Sequence, residues 1–226
     1  MGIDLAHFDW QAFILGMAVL IIAITIHEFA HAITADKLGD PTPRSQGRIS
    51  LLPPDHLDPV GTIMMVVSQF AGIGIGWGKP VMTHPRNFKS PRRDSGIVAI
   101  AGPISNILQA IVFALILRMV GTNGIWDEHT GYRTTIGVFL SAGLMTNLIL
   151  AVFNMLPIGP LDGHYVIQSI LPVDQAESYR HFNEQYGMII FLGLVLMAPA
   201  LLGQLIGPAI GTLRHFLEHY VVGFTI

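Results

Sequence analysis

The sequence predicts an all-α polytopic membrane protein, with about four transmembrane helices and one re-entrant helix/strand segment at about 59–83. Three observations carry that prediction. Of the 226 residues, 51% are hydrophobic and only 12% are charged, about half the charge usual in a soluble domain. Five long runs contain no Asp, Glu, Lys or Arg: 10–26, 59–78, 95–117, 134–161 and 185–213. Eight of the 12 Lys and Arg lie between Lys37 and Arg93. The net charge of −3 excludes a nucleic-acid binder built on a basic surface. High apolar content with low charge excludes a disordered chain. With no cysteine present, a disulfide framework, a thiol nucleophile and any Cys-based metal site are excluded as well.

About 20 apolar residues cross a bilayer. The first run reaches that length when it continues through 27–35. The residues before it carry Asp4 and Asp9 and no Lys or Arg, which is not the pattern of a cleavable signal peptide. The second run ends Gly72-Ile-Gly-Ile-Gly-Trp-Gly78, a poor helix interior. Its flanks are basic on both sides, and a full crossing would carry five positive charges from Lys79 to Arg93 outward, against the positive-inside bias. The expectation is therefore a short helix from Val60 to about Phe70. An extended return over 72–81 follows it, tolerated where it is buried in protein or faces a cavity.

The same bias orients the rest. The first helix ends at the cytoplasmic side, the 95–117 helix runs outward, and the helix from about Thr135 returns. A segment from Tyr186 to about Leu202 leaves again, and the mixed tail from Gly203 lies at the interface. The whole of 1–226 is expected to form one membrane-embedded domain, with a core over 11–172 and the C-terminal span and tail over 186–226. Its surroundings are the lipid bilayer of a prokaryotic inner membrane, and no nucleic acid is expected.

The chemistry begins at His27-Glu28-Phe29-Ala30-His31. At 100° per residue the two histidines stand about 40° apart on one helix face, one turn apart. Two imidazoles so placed can share one metal ion. Glu28 lies beside them, within reach of a water at that ion, which is the zinc-hydrolase arrangement. Glu28 is also the only charged residue of the first membrane segment, and a carboxylate there is costly without a partner or a function. A second string, His215-Phe-Leu-Glu218-His219, fits the inverted pattern. It lies in a polar patch beside Arg214, with no acidic residue after it to complete a site. The first string is the metal-site candidate.

A catalytic zinc usually has three protein ligands and one open position. Without cysteine, the third must be His, Asp or Glu. The run 134–161 ends Asn154-Met-Leu-Pro157-Ile-Gly-Pro160-Leu-Asp162-Gly163. Its prolines break the helix near the cytoplasmic side, where the chain can fold back with Asp162 at the depth of His27 and His31. The competing reading of Asp162 is a helix cap.

These motifs together resemble the site-2 protease family of intramembrane zinc metalloproteases. The resemblance rests on HEFAH at 27–31, on Gly102-Pro103-Ile-Ser-Asn106, and on Asn154-Met-Leu-Pro157 followed by Leu161-Asp162-Gly163. It implies His27, His31 and Asp162 as ligands of one Zn2+ per chain and Glu28 as the general base. It further implies hydrolysis of peptide bonds within transmembrane segments of membrane-protein substrates. The stretches His56-Leu-Asp58-Pro59-Val-Gly61 and Gly76-Trp-Gly-Lys79-Pro80 resemble the compact prokaryotic members, which lack PDZ and CBS domains. Asn154, at the helix break, is the first candidate for the oxyanion donor such a reaction needs, and Asn106 is the second. Asn106, Gly74 and Gly76 are candidates for holding substrate, the glycines by strand addition along the extended return. His56, Asp58 and His164 are candidates to line a water path. The rival reading is a zinc transporter or channel using the same intramembrane His and Asp residues.

Overall fold

The computed structural model describes residues 8–70, 76–127, 130 and 132–226. The first helix, α1 (Trp10–Lys37), starts where Asp9 caps it, the Asp9 carboxylate accepting from the Ala12 amide at 2.9 Å. At 1.5 Å per residue, His27 lies roughly 26 Å along α1, most of the way through a hydrocarbon layer of about 30 Å. The helix stops at Leu38 and the chain turns through Gly39, whose φ of +106° suits a residue without a Cβ. Asp40 then anchors the loop. It is fully buried and accepts hydrogen bonds from Thr42, from the His84 amide and from the Asn87 side chain.

The re-entrant segment begins with α2 (Pro59–Phe70). Its 12 residues cover about 18 Å, too little to cross. Its two ends meet on one side. Leu57 and Gly78 form an antiparallel bridge, and the Lys79 amide donates to the His56 carbonyl at 2.8 Å. Among the described residues the return makes a single bridge rather than a ladder. Gly74 lies outside the described residues. Gly76 packs against α2, where an added Cβ would stand 1.9 Å from Met65 Cγ.

Helix α3 (Pro91–Ile125) is central, packed on α1, on α4 (Thr135–Asn154) and on α5 (Asp162–Ile170). Its regular course breaks at Gly121, which has a φ of +71°. Ala110, Ala114 and Leu117 of α3 form the main apolar core with Leu140, Leu144 and Leu148 of α4, closed by Leu217 and Val222. Helix α6 (Val173–Met197) and α7 (Pro199–Val222) meet at a 95° bend.

Among the described residues three helices, α1, α3 and α4, are long and apolar enough to cross a membrane, and the bent pair makes a fourth if it is one span. The segment 186–202, expected from the sequence to leave the membrane again, contains a corner in the structure. Ala198 has non-helical angles (φ −134°, ψ 49°) directly before Pro199. Proline lacks the amide hydrogen and pushes its predecessor out of the helical region.

Candidate metal centre

His27 and His31 project from α1, and α5 delivers Asp162 to them. His27 Nε2 and His31 Nε2 lie 3.0 Å apart, and Asp162 Oδ2 lies 3.1 and 3.3 Å from them. Among the described residues this is the one group of three or more His, Asp and Glu side chains so arranged.

Three features of the cluster fit a metal. A tetrahedral zinc with ligand bonds of about 2.0–2.1 Å separates its ligand atoms by roughly 3.3–3.4 Å, so these three atoms are within a few tenths of an ångström of that spacing. Asp162 Oδ2 is buried and has no hydrogen-bond partner, an arrangement that an uncompensated carboxylate oxygen does not tolerate. Both outward imidazole nitrogens are already used. His31 Nδ1 donates to the Val98 carbonyl at 2.7 Å, and His27 Nδ1 donates to Asn106 Oδ1 at 2.6 Å. Each ring is thereby held in the tautomer that leaves the Nε2 lone pair free for a metal.

The tautomer of His27 is fixed from a distance. Asn147 Nδ2 donates to the Gly143 carbonyl at 2.9 Å, so its oxygen faces the other way. That oxygen accepts from Asn106 Nδ2 at 2.9 Å, which turns Asn106 Oδ1 toward His27. Asn106 and Asn147 are both fully buried. Asn106 was expected on the substrate. Its oxygen and nitrogen are both engaged inside the protein, and its geometry is that of an orienting group for His27.

Gly102 is the second feature that sequence reasoning left unexplained. An added Cβ there would stand 2.4 Å from His31 Nε2 and 2.6 Å from His27 Nε2. The missing side chain lets α3 pass directly over the two imidazoles, so Val98 and Asn106 on the same helix reach them. Gly163 does the same for Asp162. Its Cβ would stand 2.3 Å from the Met155 carbonyl oxygen, so α5 can start tight against the end of α4. The loop between is stitched to α6, with Tyr179 donating to the Pro157 carbonyl at 2.7 Å and Asn183 Oδ1 accepting from the Gly159 amide at 2.9 Å. The N-cap position of α5 is Leu161, and Asp162 is the first helical residue after it, so Asp162 does not occupy the cap position.

Glu28 is on α1 between the histidines, and its carboxylate faces Arg48 at 3.7 Å. Asn154 donates from its amide to the Leu150 carbonyl of its own helix at 3.0 Å. His56 is fully buried and donates to the Ser50 carbonyl, and Asp58 accepts from the Gly61 amide at the start of α2. Both therefore help to shape the re-entrant turn. His164 is buried between the rings of Tyr165 and Tyr179. In the second string, the Glu218 carboxylate accepts from Arg214 at 2.8 Å while the His215 and His219 rings stack on each other.

The chain is similar to a Bacillus subtilis (strain 168) protein named "Putative zinc metalloprotease YwhC", with 39% identity over 175 residues, 77% of each chain. The chain belongs to this zinc metalloprotease family. A Mycolicibacterium smegmatis member, "Putative zinc metalloprotease Rip2", is 30% identical over 190 residues, 84% of this chain and 69% of its own. The Mycobacterium tuberculosis (strain H37Rv) protein of the same name is 28% identical over 200 residues, covering 86% and 71%. No family model and no solved structure matches the chain.

Proposed function

We propose that the chain is an intramembrane zinc endopeptidase of the compact, prokaryotic site-2 protease type, cutting peptide bonds within or near transmembrane segments of membrane proteins. The observation that carries this reading is the preformed His27–His31–Asp162 cluster beside Glu28, most of the way along an apolar membrane-length helix. One zinc ion held by those three side chains would supply Lewis-acid polarisation of the scissile carbonyl and a lowered pKa for the attacking water. Glu28, beside the cluster, would take a proton from the attacking water and return it to the leaving amine. Asn106 and the Val98 carbonyl keep both imidazoles aimed throughout. If Asn154 donates to the developing oxyanion, it does so with its second amide hydrogen, the first being given to Leu150.

The site opens to the cytoplasmic side of a prokaryotic inner membrane in this reading. The charge bias of 37–93 supports that orientation, and so does a re-entrant segment whose two ends meet. In a cysteine-free chain, Lys89→Cys and Tyr132→Cys report the topology directly. The first is expected to label only from the cytoplasm and the second only from outside.

The activity test uses purified protein in nanodiscs with a single-span reporter helix. Cuts inside the apolar stretch are expected, lost with a chelator, restored by zinc, and absent in Glu28→Gln at unchanged zinc content. Metal movement across proteoliposomes without any cleavage would favour the transporter reading instead.

A further inference from the structure

Arg48 follows the single helical turn Thr42–Ser45 in the loop after α1, and it is 2% exposed. A buried guanidinium is costly unless nearby groups compensate it. Its Nη2 donates to the Lys79 carbonyl and stands 3.7 Å from Glu28 Oε2, while Asp55 adds a second negative charge in the neighbourhood. Its Nε has no hydrogen-bond partner. Gly78, next to Lys79, is pressed against α1. A Cβ there would lie 2.7 Å from Ile24 Cγ2 and 3.1 Å from Glu28 Cγ. The returning limb of the re-entrant segment therefore runs along the Glu28 side chain, and Arg48 touches both.

The 3.7 Å separation matters. A direct charge-assisted hydrogen bond is about 2.7–2.9 Å, and a bidentate pair at that distance would occupy the carboxylate lone pairs. At 3.7 Å the cation attracts the carboxylate without a direct hydrogen bond to it. We infer that Arg48 is a positioning residue, which holds the Glu28 carboxylate in register with the Gly78–Lys79 limb. The inference rests on the peptidase reading and goes beyond it by naming a residue away from the ligand set. Movement of that limb on substrate binding would then be transmitted to the base through one side chain.

The test compares the parent, Arg48→Met, Arg48→Lys, Glu28→Gln and the double variant Arg48→Met/Glu28→Gln, all as full-length protein in nanodiscs. Zinc per chain, kcat and KM on the single-span reporter helix, and thermal unfolding are measured. Arg48→Met is expected to keep its zinc and its KM within about threefold while kcat falls by about 100-fold, the scale of a 1 Å misplacement. Arg48→Lys keeps the cation but has a shorter reach and no planar fork, and its kcat is expected about tenfold below the parent, between the parent and Arg48→Met. The unfolding shifts of Glu28→Gln and Arg48→Met are expected to be non-additive in the double variant.

A kcat of Arg48→Met within about threefold of the parent, a loss confined to KM, or additive unfolding shifts would overturn the inference and leave the peptidase reading standing. A parent that fails to cut the reporter overturns that reading, and this inference with it. Should Arg48→Met not fold, Arg48→Lys decides, since a kcat equal to the parent's there would show that the guanidinium's reach and shape do not position Glu28 and would overturn the inference.

Discussion

Replacing Gly102 by Ala adds one methyl group to α3 and alters no candidate ligand. The new carbon would stand 2.4 Å from His31 Nε2, 2.5 Å from His27 Cε1 and 2.6 Å from His27 Nε2. Comfortable non-bonded contact is about 3.5 Å, so something must move by about 1 Å. The rings have little room to retreat, because each Nδ1 is tied to α3 itself through Asn106 and the Val98 carbonyl. Two terms act on the metal-free protein. Alanine is a better helix former than glycine by about 0.8–1.0 kcal/mol, and overpacking costs about 1–3 kcal/mol. The net change is a destabilisation of about 0–2 kcal/mol, small enough for the variant to fold.

The metal-linked term is larger. A ligand present at 1,000 times its Kd stabilises the folded state by about 4 kcal/mol, and the methyl group fills the space where the two Nε2 atoms converge. Gly102→Ala is therefore expected to purify with little zinc and to lose the chelator-sensitive part of its thermal stability. Gly203→Ala, where an added Cβ meets nothing within 4 Å, is the control and is expected to gain up to about 1 kcal/mol. Zinc analysis and unfolding with and without chelator decide the matter. A Gly102→Ala protein that keeps one zinc per chain and the parent's chelator response would refute the assigned position of the metal.

Asn147→Leu removes the group that turns Asn106 toward His27, and zinc affinity is expected to fall by about 10–100-fold, measured by competition with a chromophoric chelator. Asp162→Ala is expected to lose zinc and cleavage, whereas the double change His215→Ala/His219→Ala keeps both, and zinc loss confined to the double variant would reverse the choice of motif. Asp40 predicts a pH dependence. Burial opposes its ionised form, but hydrogen bonds from Thr42, Asn87 and His84 outweigh that and hold its carboxyl below the usual value. A folded-state pKa below the unfolded one contributes stability above about pH 4, lost as pH falls through the folded value. The stability gap between the parent and Asp40→Asn should thus be widest near neutrality and close in acid, as read from unfolding midpoints across pH, and a gap that widens in acid would contradict the assignment.

What the sequence disclosed and what it hid divide along physical lines. His27, Glu28 and His31 are legible because helix geometry is local, and four residues of spacing settle which face they share. Asp162 is legible through two local signals, a proline-broken helix end and a donor set reduced by the absence of cysteine. The re-entrant segment follows from two local signals, the glycine-rich end of 59–78 and the basic flanks that must stay together. The Asn106–Asn147 contact joins residues 41 positions apart, and only the packing register of α3 on α4 creates it. Nothing near Asn147 distinguishes it from an ordinary amide between membrane helices, and Asn106, although marked by the Gly102–Asn106 motif, shows nothing in sequence of its partners His27 and Asn147. Gly102 is hidden for a related reason. In sequence it is a weak helix former, and its value lies in an atom it lacks, judged against two rings on another helix. Arg48 was legible only as one of eight charges that set topology, because a positive residue in a cytoplasmic loop is expected to be solvated. Its burial depends on the re-entrant limb folding back over it, a long-range event. The residues that sequence missed are thus those that aim the cluster rather than those that compose it, and the Gly102 and Asn147 variants test that division directly: each leaves every candidate ligand in the chain and removes only its alignment.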